Sequence, residues 1–199
     1  MGKFLMPAST RWFASQGGFM SDAIVQHYLE DAISQFRKMK QLAEKALLQV
    51  SDDEFFVLLD EESNSLALTV KHISGNLRSR WTDFLTSDGE KDWRKRDTEF
   101  IITDNNSRAS LMQGWEEGWQ VLFHALTPLQ VADFDKKVVI RSEPHSIVQA
   151  INRQLTHYSY HIGQIVFLAK HLKSTEWKTL SVARNKSEEF RQEMLRKEF

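Results

Sequence analysis

Between residues 22 and 50, apolar side chains fall at alternating steps of four and three: Val25, Leu29, Ala32, Phe36, Met39, Ala43, Ala46 and Val50. An α-helix turns once in about 3.6 residues, so this spacing gathers them on one stripe. It predicts a first helix from about Asp22 to Val50, broken by Ser51-Asp52-Asp53. Leu66, Val70, Ile73, Leu77, Trp81 and Phe84 mark a second helix from about Ser63 to Leu85. Leu111, Trp115, Trp119, Leu122 and Leu126 mark a third, from Asn106 or Ser107 to just before Pro128. Ile147, Ile151, Leu155, Ile162, Val166 and Ala169 mark a fourth that ends near Leu172. Ser142, Glu143 and Pro144 read as the start of that helix, since proline suits a first helical turn.

The connections differ in character. The charged run "SDGEKDWRKRDTE" separates the second and third helices, and a link of that length is uncommon and often lies near function. The stretch "PLQVADFDKKVVIRSEP" holds at most one short strand, at Val138–Arg141. A short helix is expected near Trp177–Arg184, followed by a charged tail over 185–199 that reads as a solvated helix or a frayed end. Long amphipathic helices without a convincing sheet or internal repeat predict an all-α domain over residues 21–184. The expected architecture is a four-helix bundle with one long crossover connection.

Composition narrows the function. The chain has 199 residues, 41% of them hydrophobic, which suffices for one well-filled core. Its net charge of −1 provides no basic field for nucleic acid or an anionic membrane. There is no cysteine, which removes disulfides, thiolate ligands and cysteine nucleophiles together and fits a cytoplasmic protein. No apolar run approaches the ~20 residues that span a bilayer. The segment 1–20 contains no acidic residue and a Gly17-Gly18 pair; it reads as a tag, extension or alternative start and is expected to be poorly anchored.

Chemistry concentrates in "LTHYSYHIGQIV", where His157 and His161 stand four apart in the fourth helix. Positions i and i+4 share a helical face with Cβ atoms about 6 Å apart. Two imidazoles at that separation converge on one ion at about 2.0–2.1 Å from each nitrogen. Alone, H-x-x-x-H is a weak signal, and isolated histidines are usually hydrogen-bonded structural rings. The stripe Ala150, Gln154, His157 and His161 borders the apolar face, where a partner helix covers polar groups that then need partners of their own. His72 has a similar flank on the second helix, between Thr69 and Asn76, where a third ligand faces the fourth helix. That flank lies off the centre of the apolar stripe and predicts shallow burial for His72.

The stretches "VKHISGNLRSRW" and "INRQLTHYSYHIGQIVFLAKH" resemble the DinB-like, or YfiT-like, superfamily, over about residues 21–172. Its pattern of one histidine on the second helix and H-x-x-x-H on the fourth falls here on His72, His157 and His161, and Gly163-Gln164 after the last histidine also agrees. The resemblance implies a four-helix bundle with a three-histidine site for a divalent ion, zinc or nickel, and a homodimer. It also implies a bacterial enzyme that uses a low-molecular-weight thiol, as transferase or isomerase, on a small molecule. Substrate and reaction are beyond its reach.

Three neutral imidazoles leave an ion its full charge and at least one open position, the layout of a catalytic zinc site. Such an ion lowers the pKa of water toward ~7 or binds a thiol as thiolate. Without cysteine in the chain, an attacking sulfur has to come from a co-substrate. Asn76, Arg153 and Gln154 lie within a turn of the histidines and are candidates to orient ligands or hold substrate; their bland alternatives are core hydrogen bonds and a solvated guanidinium. "RSRW" and "WRKR" set basic side chains beside tryptophans, as single-strand binders do, but the acids among them dilute the charge. Trp115, Trp119, Glu116 and Glu117 read as a core edge beside a solvated face. His124, His145 and His171 read as structural, and His27 falls outside the family's histidine pattern. A non-catalytic bundle, with a structural metal or an interaction role, is the alternative to a metalloenzyme.

Overall fold

The computed structural model describes residues 13–197, with side chains from Asp22 onward. The proposed loose extension over 1–20 lies largely outside these residues. Helix α1 spans Phe13–Leu47, and the short α2 spans Asp52–Phe56. Helices α3 (Leu66–Trp81) and α4 (Arg108–Leu126) follow. A hairpin of β1 (Lys137–Ile140) and β2 (Glu143–Ser146) leads into α5 (Ile147–Lys173), and α6 covers Ser187–Lys197. Among the described residues the fold is mostly helical, with these six helices and one small two-stranded sheet. None of these helices is long and apolar enough to cross a membrane.

The predicted stripes form the interior. Helix α3 packs mainly on α4, and α1 on α5, while α3 also meets α5 and α1 meets α4. Each of the four long helices contributes one ring to a central aromatic cluster: Phe36, Trp81, Trp119 and Tyr158. Phe36 lies 6.0 Å from Trp81 and 5.9 Å from Tyr158, which lies 5.7 Å from Trp119. Tilted and edge-on contacts at this range suit the ring quadrupoles. Helix α3 is buried on nearly every side, so its polar residues must find partners inside the protein.

Local chemistry explains where the elements depart from expectation. Ser51 does not merely end α1; its hydroxyl accepts from Glu54 N while Ser51 N donates to the Glu54 carboxylate, a capping box that starts α2. Ser142-Glu143-Pro144 belongs to a hairpin and not to a helix start. Ile140 pairs with Glu143, and Arg141 and Ser142 between them take φ of 56° and 62°, as a two-residue turn of the favoured hand requires. The Asp88 carboxylate accepts from both turn amides, at 2.8 Å and 2.7 Å. Helix α5 starts only after Ser146, whose hydroxyl accepts from Gln149 N.

The helix expected near Trp177–Arg184 is absent. At Ser174 the chain turns to φ 47°, and a short 3-10 turn over Ser174–Glu176 is followed by irregular structure. The Gln49 amide then exchanges two hydrogen bonds with the Lys178 backbone, at 2.8 Å and 3.0 Å, taking the place of helical partners. The tail does form a helix, α6, and it is solvated along its whole length.

Candidate metal centre

Helices α3 and α5 bring His72, His157 and His161 together, with one possible ligand atom of each within 4.8 Å of the others. Their ring centroids are 4.7 to 5.5 Å apart. The Nε2 atoms face inward: His157 Nε2 is 3.4 Å from His72 Nε2 and 3.1 Å from His161 Nε2. Two nitrogens bound at about 2.0–2.1 Å and at a tetrahedral angle stand about 3.3 Å apart, so the two pairs that His157 makes are near the spacing one ion requires, and the third pair lies within 4.8 Å.

Groups outside the cluster set the face that each ring presents. His72 Nδ1 lies 2.9 Å from Glu99 Oε2, and His161 Nδ1 lies 2.8 Å from Gln164 Oε1. Carboxylate and amide oxygens accept, so both Nδ1 atoms carry the proton and both Nε2 atoms are left as ligating nitrogens. Burial, then the neighbouring imidazoles of His161 and His72, push His157 down to about 3. Burial also shifts His161 downward against the opposing pull of Gln164. These two rings are therefore neutral at physiological pH, the form that binds metal.

His72 is buried more deeply than its place beside the apolar stripe predicts, at 4% exposure. The connection between α3 and α4 covers it. In that connection the 3-10 turn Arg96–Phe100 lays Phe100 against the His72 ring, with centroids 5.0 Å apart and planes 29° apart. Arg94 grips Glu99 from the other side, Nε to Oε1 at 2.8 Å and Nη2 to Oε2 at 2.9 Å. Burial opposes ionisation of Glu99, but hydrogen bonds from Arg94 and His72 outweigh it and hold the carboxyl below its usual range.

The family profile of DUF1572, described as a protein of unknown function, matches residues 23–186. The chain belongs to that family. A search of curated proteins finds no match. The DUF1572 match spans His72, His157 and His161, so the cluster lies wholly inside the family's shared region.

The flanking candidates in this DUF1572 protein have separate surroundings. Asn76 is buried, and its Oδ1 accepts from the Tyr158 hydroxyl at 3.0 Å, while Trp81 Nε1 donates to that hydroxyl at 3.1 Å. Gln154 is buried with an unbonded Oε1, and Arg153 is exposed. Of the basic residues near the tryptophans, Arg80 and Arg94 are engaged internally, whereas Arg78, Lys95 and Arg96 are exposed. Arg80 donates to Gly89 O and to Glu90, Arg94 holds Glu99, and Arg78 and Arg96 lie over Trp93 and Phe100.

Sequence reasoning missed Glu99 and Arg94. They follow no helical period, and the signals that point to them are the length of the connection that carries them and Gly75 inside α3. A cleft of about 400 Å³ opens beside the centre between the segment before α3 and the later half of α5. Thr69, one turn before His72, and Gln164, which holds His161, are part of its wall, with Glu62 and Asn64 opposite Tyr160 and Phe167.

Proposed function

We propose that this protein is a metal-dependent enzyme of the DinB-like, four-helix-bundle type, with His72, His157 and His161 as ligands of one divalent ion, zinc or nickel. The observation that carries the reading is the convergence of the three imidazoles, with His157 Nε2 at near ion-binding spacing from the other two Nε2 atoms and those two rings fixed by outside acceptors. The donor set fits such an ion: imidazoles suit zinc and nickel, and no fourth protein ligand joins the cluster among the described residues. When bound, the ion supplies a Lewis-acid centre with open positions.

The chain's own residues do the rest. The cleft between Thr69, Glu62, Tyr160 and Gln164 receives a small molecule beside the rings, and its mixed lining suits a substrate with both apolar and hydrogen-bonding parts. The absence of cysteine assigns any attacking sulfur to a low-molecular-weight thiol co-substrate. The favoured reaction is thiol-dependent S-transfer, with metal-activated hydrolysis or isomerisation as neighbouring chemistries. Gln154, buried with an unbonded Oε1, and exposed Arg153 do not line this cleft and are candidates for contact with a ligand at the rings from the earlier turn of α5. The protein acts in this reading as a cytoplasmic homodimer without nucleic-acid or membrane partners, and its net charge of −1 supports the absence of a polyanionic partner.

Metal analysis of protein purified without a nickel column tests the site, with about one zinc or nickel per chain as the expected result. Double replacement of His157 and His161 by alanine should abolish retention of the ion. It should also abolish turnover in a screen of thiols against small electrophiles. A stoichiometric metal whose removal lowers only the melting temperature would favour a structural ion in a non-catalytic bundle.

A further inference from the structure

We propose that Glu99 is a positioning residue for His72, seated by Arg94 and admitted by Gly75. The proposal rests on the reading of the cluster as a metal centre and assigns a role to residues outside it.

Burying Glu99 and Arg94 is poorly explained by stability. Their side chains are only 8% and 2% exposed, and an ion pair withdrawn from water gives back in attraction about what it loses in hydration. What the pair does achieve is orientation. Both carboxylate oxygens are held by the guanidinium fork, and Oε2 in addition faces His72 Nδ1. An acceptor fixed on Nδ1 locks the ring, turns Nε2 to the cluster and makes that nitrogen a stronger donor to a cation.

Gly75 is an independent sign that the contact is built. It lies inside α3, where glycine costs about 1 kcal/mol against alanine. No glycine in the described residues has a positive φ, so backbone freedom is not the reason for it. A Cβ at this position would stand 2.1 Å from Glu99 Oε1 and 2.7 Å from Glu99 Cδ. The missing side chain is the space into which the carboxylate fits. Farther along the strap, Lys71 Nζ donates to Ile101 O at 2.6 Å and to Asn106 Oδ1 at 3.0 Å. Lys71 immediately precedes His72 on α3, so the covering segment is fastened next to the residue it orients.

The test measures cobalt(II) affinity by chelator competition, and the cobalt visible spectrum, in the full chain and three variants. Glu99→Gln is isosteric and keeps a weaker acceptor. Gly75→Ala displaces the carboxylate without changing it. Arg94→Leu with Glu99→Leu removes both charges together, so no buried charge is left alone. Melting of the metal-free proteins is recorded beside each titration. Each variant is expected to bind cobalt about 10- to 100-fold more weakly with an altered spectrum, because groups behind metal-binding histidines commonly act on that scale. Gly114→Ala, on a helix face with open space, should bind as the unaltered protein does. Glu99→Gln and any other folded variant binding within about threefold, below that range, with an unchanged spectrum would overturn the proposal. So would a lower melting temperature with affinity retained. Failure of the unaltered protein to bind any divalent ion would instead remove the metal-centre reading beneath it.

Discussion

Replacing Tyr158 by phenylalanine removes one oxygen from the middle of the core. That hydroxyl accepts from Trp81 Nε1 at 3.1 Å and donates to Asn76 Oδ1 at 3.0 Å, and it is fully enclosed. The phenylalanine ring retains the contacts with Phe36 and Trp119, so little packing is lost. What changes is that an indole N–H and an amide oxygen each lose a partner at a site closed to water. A buried polar group left unsatisfied costs about 1–3 kcal/mol, so the two together predict a loss of about 2–4 kcal/mol once local adjustment is included. In a domain of this size, 1 kcal/mol moves the melting temperature by about 2–4 °C, which places the variant roughly 4–16 °C lower. Urea unfolding followed by tryptophan fluorescence and by circular dichroism should give coincident curves with the midpoint shifted down. Metal affinity should change little, because Asn76 belongs to this chain of bonds and makes none to the three rings. A loss under about 0.5 kcal/mol, the size of an ordinary surface change, would show that the hydroxyl is not needed to satisfy its neighbours. A large fall in metal affinity at unchanged stability would place Asn76 in the centre after all.

Other expectations follow from packing and from titration. A Cβ on Gly118 would lie 3.1 Å from Leu77 Cβ and 3.3 Å from Ser74 O, so Gly118→Ala should destabilise by about 1–2 kcal/mol despite its better helix propensity. Gly114→Ala meets nothing within 4 Å and should stabilise by up to about 1 kcal/mol; thermal unfolding of both variants checks the contrast. Acid should weaken the metal-free protein early. The unfolded chain protonates histidine near 6.5, whereas folded His157 resists to about 3 and His161 shifts the same way. Their contribution is therefore complete above about pH 6.5 and is lost as the pH falls from there toward 3. Unfolding of chelator-treated protein between pH 7 and 5.5 should show this slope, and a His157→Gln, His161→Gln variant should flatten it.

The long helices are legible because each stripe repeats for many turns; His157 and His161 are legible from their helical spacing, and His72 from its flank of the second helix together with the family resemblance. The features that escaped depend on partners remote in the chain. The hairpin turn at Arg141 and Ser142 is fixed by Asp88, and the unwound stretch after α5 by Gln49. Neither carries a periodic signal. His72 was expected near the edge of the core because the helical wheel counts only neighbouring helices, and a connecting segment covers it instead. Gly75, a glycine inside a predicted helix, was the one mark in the sequence that something approaches α3 closely there.

His72 and Glu99 come from the first half of the chain, while His157 and His161 both lie on the last long helix. During synthesis from the N-terminus, the first imidazole and its carboxylate therefore leave the ribosome well before the other two. A lone imidazole is a poor trap for a divalent ion, so a growing chain has no competent site to load with whichever metal is abundant nearby. If the cluster holds a metal as proposed, selection of the ion would wait until α5 has docked and the completed fold sets the spacing of the three rings.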